Sequence, residues 1–195
     1  MKKIILASGS PRRKELLENL GIKFEILPDN TPEPVLENIL PQDVVMTLAK
    51  FKGDNVTSVL GKSEDYIIIS ADTVVSVDDR ILGKPKTKEE AFEMLSSLSG
   101  RCHSVYTGVY LRENQGGKSV NFYEKTEVFF KNLDIKEIKD YINTGEPMDK
   151  AGAYGIQTLG AAFVEKICGD YFNVVGLPLC SLAKELKEKF DITFF

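Results

Sequence analysis

The sequence predicts an α/β protein, with strands and helices interleaved along one chain. Three stretches carry that reading. A short apolar run, Ile4 to Ala7, breaks into the small-residue loop Ser8-Gly9-Ser10 and opens a helix at Pro11, a strand–loop–helix unit. Tyr66-Ile67-Ile68-Ile69-Ser70 is a continuous apolar strand, the kind buried on both faces of a sheet. Residues 101–111 and 120–130 read as two long strands joined by the turn Asn114-Gln115-Gly116-Gly117, an antiparallel ribbon.

The first helix has Ser10 as its cap, Pro11 at its first position, Leu16, Leu17 and Leu20 at helical spacing, and Gly21 as its stop. Arg12 and Arg13 break a rule there, because the first turn of a helix favours anions over cations. A phosphate at this end would engage the free backbone amides, the hydroxyls of Ser8 and Ser10 and both guanidinium groups. Two solvated arginines on a surface helix are the competing reading.

A strand from Phe24 to Leu27 leads into Pro28-Asp29-Asn30-Thr31-Pro32-Glu33-Pro34, a proline-broken loop that holds Glu33 in restricted backbone. Pro41 to about Ser58 is a helix whose apolar face is Val44, Val45, Leu48, Ala49 and Val56, with Lys50 and Lys52 off that face or at its edge, where lysines are ordinarily solvated. The strand at Tyr66 runs on through Ala71-Asp72-Thr73-Val74-Val75 to Val77 and so places an acid inside a core strand. A carboxylate in such a run is costly to bury unless it is paired, protonated or bound to a metal, which makes Asp72 the strongest single-residue signal in the chain.

Asp78-Asp79 marks a hairpin turn, and the return through Ile81-Leu82-Gly83-Lys84-Pro85 brings Lys84 near the level of Asp72. Thr87 and Glu90 form a capping box before a helix from Lys88 to Leu98 that Gly100 ends. Phe122, Tyr123, Phe129 and Phe130 on the ribbon are explained by sheet packing rather than base stacking. Asp134 and Glu137 cap a helix reaching Asn143. Residues 146–157 have no period and read as a functional loop carrying Asp149, Lys150 and Gln157, in which Gly152 and Gly155 allow close approach of a ligand. A strand over Ala161 to Lys166, a loop from Gly169 to Gly176 and a helix from Pro178 to Phe190, with Leu179, Leu182 and Leu186 inward, close the chain.

With 43% hydrophobic residues in 195, the chain can bury a substantial core, and one compact unit is expected. A net charge of -4 argues against a dedicated nucleic-acid binder, whose footprint is a basic face. No apolar run is long enough to span a membrane, and Lys2-Lys3 before Ile4 to Ala7 is too little for a signal peptide, so a cytoplasmic protein is expected. The 3 cysteines, Cys102, Cys168 and Cys180, lack a paired spacing and read as reduced and structural. With His103 as the 1 histidine, inside an apparent strand, carboxylates and lysines must carry the chemistry.

Together the loops supply Arg12, Arg13, Lys52 and Lys84 as cations, Asp72 and Glu33 as acids, and Gln157 as a two-way hydrogen bonder. That set suits a nucleoside triphosphate. Cations neutralise phosphate oxygens, two acids can hold a divalent ion, one carboxylate can take a proton from attacking water, and an amide can read the edge of a base.

Five separated stretches in order, Leu6-Ala7-Ser8-Gly9-Ser10-Pro11-Arg12-Arg13, Ser70-Ala71-Asp72-Thr73-Val74-Val75, Leu82-Gly83-Lys84-Pro85, Asp149-Lys150-Ala151-Gly152-Ala153-Tyr154-Gly155-Ile156-Gln157 and Val175-Gly176-Leu177-Pro178, resemble the Maf family of nucleotide pyrophosphatases. The resemblance implies a mixed, elongated, twisted sheet with flanking helices, similar to inosine triphosphatases. It also implies a single domain over residues 1–195, with two lobes around a central cleft as an allowed arrangement, often in a homodimer. It implies metal-dependent hydrolysis, with Mg2+ or Mn2+, of a nucleoside triphosphate to the monophosphate and pyrophosphate. By motif position Asp72 is the proton acceptor. Ser8, Arg12, Arg13, Lys52, Lys84 and Gln157 bind substrate, and Glu33 with Asp72 holds the metal, although the family's acidic run is reduced here to Asp29 and Glu33. Arg12, Thr73 and Gln157 resemble the branch acting on dTTP and UTP, whose expected role is cleansing the nucleotide pool with tolerance for modified pyrimidine nucleotides. The sibling branch acts on 7-methyl-GTP and differs at all three positions. A regulator of septum formation that binds nucleotide or nucleic acid without turnover is the alternative of a different class.

Overall fold

The computed structural model describes residues 2–60 and 65–193. Strand β1 (Lys3–Leu6) is followed by α1 (Pro11–Asn19), β2 (Phe24–Ile26), α2 (Pro41–Leu60), β3 (Tyr66–Val77), β4 (Arg80–Leu82), α3 (Lys88–Leu98), β5 (Cys102–Glu113) and β6 (Ser119–Phe130). Helix α4 (Ile135–Asn143), β7 (Val164–Cys168), α5 (Tyr171–Val175) and α6 (Leu179–Phe190) complete the order. Among the described residues the strands form one sheet of 7, in the order β2-β1-β3-β5-β6-β7 with β4 beside β3. It is mixed, since β1 runs parallel to β2 and β3 while β4 and β7 pair antiparallel. No helix is long and apolar enough to cross a membrane among the described residues.

The described residues fall into two compact units, the first within residues 1–72, 107–124 and 176–195 and the second within residues 73–106 and 125–175. Strands β3, β5 and β6 each contribute residues to both.

In the first unit β1 lies between β2 and β3, with Leu6 opposite Ile69. Buried on both faces as the apolar runs require, β1 and β3 pack Ile5, Ala7 and Ile68 against Val56 of α2 and Tyr66. Two glycines let α2 come close to the sheet. A methyl group on Gly53 would stand 2.6 Å from both Ser70 Oγ and the Tyr110 ring, and one on Gly108 would stand 2.4 Å from the Val45 carbonyl. The Ser70 hydroxyl closes the same contact by donating to the Ala49 carbonyl at 2.7 Å. Helix α2 is thereby fixed against β3 at the level where the site is built.

The second unit buries Ala91, Leu95 and Leu98 of α3 and Ile138, Tyr141 and Ile142 of α4 around Phe130, Tyr154 and Phe163. The capping box of Asp134 and Glu137 starts α4 as its sequence demands. His103 is 2% exposed and meets Tyr154 Oη at 2.8 Å through Nε2. Burial pushes its pKa from 6.5 down to about 4. The unfolded chain therefore binds a proton that the folded one refuses, so stability is unaffected above pH 6.5 and falls by up to about 3 kcal/mol as pH drops to about 4. As the chain has 1 histidine, its ring resonances isolate the effect: a titration midpoint near 4 is expected, and one near 6.5 contradicts the burial.

Four expectations change. Ala161 to Phe163 is not strand but the end of a 3-10 turn, Leu159–Phe163, and β7 begins only at Val164. Gly160 explains it, because its Cα packs so near Gly155 that a methyl group there would stand 2.8 Å from the Gly155 carbonyl. The loop from Gly169 to Gly176 contains α5, capped by the Asp170 carboxylate accepting from the Phe172 amide at 2.8 Å. The aperiodic stretch after Gly145 holds two 3-10 turns, Glu146–Asp149 and Ala151–Ala153. The cysteines are free, as expected, but all three lie at exposed positions rather than serving as core.

Candidate active site

Two successive rungs connect β3 to α2. Side chains i and i+2 share a face of a strand, and i and i+3 share a face of a helix. Ser70 meets Ala49, so Asp72 must meet Lys52. Lys52 Nζ donates to Asp72 Oδ1 at 2.5 Å, with the two side chains only 16% and 13% exposed. The half-buried acid in the apolar strand is thus paired, and its partner is Lys52, one of the expected substrate-binding cations.

Glu33 reaches the same ammonium at 2.8 Å from the proline-broken loop. Asp29 holds that loop to α2 by accepting from Asn55 Nδ2 at 3.0 Å and from the Thr31 amide and hydroxyl at 3.0 and 2.7 Å. Burial raises the Asp29 pKa, but the bonds from Thr31 and Asn55 outweigh it and hold the carboxyl below its ordinary range. Asn55 lies one helical turn beyond Lys52, so loop and helix are clasped at two neighbouring points.

At the start of α1 the Ser10 hydroxyl accepts from the Arg13 amide at 3.5 Å, the expected cap. Arg13 is not the solvated cation of an ordinary surface helix. Its Nε donates to the Gly176 carbonyl at 2.8 Å and its Nη1 to Ser8 Oγ at 3.1 Å. Burial lowers its pKa and Asp72 opposes that shift, while an arginine stays charged at neutral pH. Ser8 is itself buried and also accepts from the Ser10 amide at 3.3 Å. Arg12 is half-buried beside it. Since β1 ends at Leu6 and Asp72 stands three residues past its partner Ile69, both features lie beyond the carboxyl end of β1, where open α/β sheets place their ligands.

The first unit therefore brings together Ser8 with Arg13, and Lys52 with Glu33 and Asp72. Thr73, Lys84 and Gln157 belong to the second unit. Thr73 is half-buried, and Lys84 and Gln157 are exposed. The β3–β4 ladder ends at Val75 opposite Leu82, two residues short of Lys84. Gly152 and Gly155 were expected to admit a ligand, but the protein fills that space itself: methyl groups there would stand 2.9 Å from Val75 and 2.7 Å from Lys150.

Among the described residues no cluster of three or more acids, histidines or cysteines could hold a metal. Two carboxylates on one ammonium are nevertheless hard oxygen donors already gathered around a cation, the chemistry that magnesium or manganese requires. Glu33 and Asp72 would supply two such donors. Sequence reasoning named Lys52 as a cation and Asp29 as part of an acidic run, but not the bridge that Lys52 makes between two acids, the anchor that Asp29 makes to Asn55, or the Gly176 carbonyl, whose one signal was its place in the fifth stretch.

Residues 3–189 match the family described as Maf-like protein. A protein of Bacillus cereus (strain G9842) named dTTP/UTP pyrophosphatase is 52% identical over 192 residues, covering 98% of this chain and 97% of that protein. One of the same name from Bacillus cytotoxicus is 53% identical over 188 residues, 96% of each. Among solved structures, the Staphylococcus aureus Ham1 protein is 14% identical over 66% of this chain and 72% of that one, with a TM-score of 0.42. Five motifs in order, a family match over nearly the whole chain and relatives half identical from end to end lead to one conclusion: this chain belongs to the Maf-like protein family.

Proposed function

We propose that the protein hydrolyses dTTP and UTP to the nucleoside monophosphate and pyrophosphate. The observation that carries this reading is the Asp72–Lys52–Glu33 cluster, an acid in a core strand held by a lysine beside a second acid. Full-length relatives named dTTP/UTP pyrophosphatase support the choice of substrate.

In this mechanism the oxygen of a water forms a bond to the α-phosphorus, and one proton passes to the Asp72 carboxylate. The bond from that phosphorus to the oxygen bridging it to the β-phosphorus breaks, and pyrophosphate leaves with the electron pair. Arg12, Arg13, Lys52 and Lys84 neutralise phosphate oxygens, and the Ser8 hydroxyl donates to one of them. Arg13 and Ser8 are pre-oriented by their mutual bond, so little ordering remains for binding. Glu33 and Asp72 would hold a divalent cation, Mg2+ or Mn2+, which supplies positive charge to the phosphate oxygens when bound. Gln157 reads a pyrimidine edge with one donor and one acceptor, and Arg12 and Thr73 complete the choice of base. A homodimer and a cytoplasmic location belong to the same proposal, as do modified pyrimidine nucleotides as further substrates.

A panel of common and modified triphosphates at one concentration, read by pyrophosphate release, tests the reading. UTP and dTTP are expected to lead. Preference for 7-methyl-GTP overturns the substrate assignment. No release from any triphosphate with magnesium or manganese overturns the enzyme itself and favours a binding regulator of cell division.

A further inference from the structure

We propose that Glu146 is a positioning residue whose carboxylate fastens the chain on both sides of Gln157 and so fixes the direction in which that amide meets a nucleobase. The inference rests on the base-reading role given to Gln157 above. Glu146 opens a 3-10 turn eleven residues before Gln157, and none of the roles described so far uses it.

Its two carboxylate oxygens collect four donors. One accepts from Tyr141 Oη at 2.9 Å, from the Thr158 hydroxyl at 2.5 Å and from the Gly160 amide at 3.3 Å. The other accepts from the Leu159 amide at 3.3 Å. Three of these donors follow Gln157 directly. The fourth, Tyr141 Oη, accepts from the Gly155 amide at 3.2 Å and so holds the chain two residues before Gln157. Gly155 and Gly160 are drawn together, with no room for a side chain between them. The segment from Gly155 to Gly160 is thus a loop closed at its base, with the exposed Gln157 at its tip.

The knot is anchored at its other end. The Glu146 amide donates to the Thr144 hydroxyl at 3.2 Å, and the Glu146 carbonyl accepts from Lys150 Nζ at 2.8 Å. Burial raises the Glu146 pKa, but the bonds from Thr158 and Tyr141 and the two amides more than offset it, so the group is an ionised acceptor at neutral pH. Burial and the bond to Glu146 push the Tyr141 hydroxyl upward, which keeps it a donor. Four donors demand an acceptor-only group, and a glutamine in the same volume would turn an NH2 toward one of them.

The test is steady-state kinetics on the full chain with UTP and GTP, comparing wild type, Glu146→Gln, Gln157→Ala and the double variant. Glu146→Gln is expected to raise KM for UTP about tenfold with little change in kcat, and to shrink the preference for UTP over GTP by a similar factor. The double variant should show no smaller preference than Gln157→Ala alone, because a positioning residue has nothing to position once the amide is gone. Tyr141→Phe, which unties Gly155 and keeps the carboxylate, should shift the preference in the same direction and serves if Glu146→Gln does not fold. If Gln157→Ala leaves the preference intact, the base-reading role fails and this inference with it. If Gln157→Ala levels the preference but Glu146→Gln and Tyr141→Phe lower kcat for both nucleotides alike, Gln157 keeps its role and the inference about Glu146 is overturned.

Discussion

Asp72→Asn is expected to slow turnover of UTP by roughly two to four orders of magnitude while leaving nucleotide affinity near that of the wild type. Asparagine has the volume of aspartate and keeps an oxygen able to accept from Lys52, whose bond to Asp72 Oδ1 is 2.5 Å. Packing of β3 against α2 should therefore survive. What disappears is the ability to take a proton from the attacking water, together with one charged donor to the proposed cation, so affinity is compared without divalent metal. Turnover and binding should separate: kcat falls, and the dissociation constant of UTP measured by calorimetry does not. A variant that retains full activity removes Asp72 from the chemistry.

Lys52→Met should fail differently, in stability as well as in rate. The methionine keeps the apolar stem of the lysine and removes the one ammonium shared by Asp72 and Glu33. Asp72 is then left 13% exposed without its hydrogen-bonded ammonium and with only the more distant charge of Arg13 to oppose its own, whereas Glu33, 51% exposed, keeps access to water. Stranding a carboxylate in this way costs on the order of 3 kcal/mol, and the loss falls on Asp72 rather than equally on both acids. Urea unfolding should show the midpoint drop in Lys52→Met. Adding Asp72→Asn to that variant should restore part of it, because a neutral amide does not need the ammonium. A further drop in the double variant contradicts the pairing. Loss of phosphate neutralisation should also lower kcat/KM by about 100-fold or more.

These two residues illustrate what could be read from the chain and what could not. Asp72 was legible because a carboxylate inside Ile67-Ile68-Ile69 and Val74-Val75 violates a strong local rule. Arg12 and Arg13 were legible for the same kind of reason, being cations at the positive end of a helix. Lys52 violates nothing. A lysine at the edge of a helix has no local signature, and its role depends on which rung of β3 faces which turn of α2, a register set by Gly53, Gly108 and Ser70. Glu33 was visible only as an acid between prolines, since the clasp from Asp29 to Asn55 joins residues 26 apart. Among the elements, the periodic ones were legible to within a few residues, and α3 matches its expected span from Lys88 to Leu98. The 3-10 turns and α5 were not, because segments of 3 to 5 residues carry no usable period and are fixed by tertiary bonds such as those that gather at Glu146.

The central claim is that this chain splits a nucleoside triphosphate between its α and β phosphates with water as the nucleophile. Incubation of UTP with the wild-type protein and magnesium, followed by separation and phosphorus NMR of the products, tests it most directly. UMP and pyrophosphate in equal amounts are expected, and UDP with inorganic phosphate, or unchanged UTP, contradicts it.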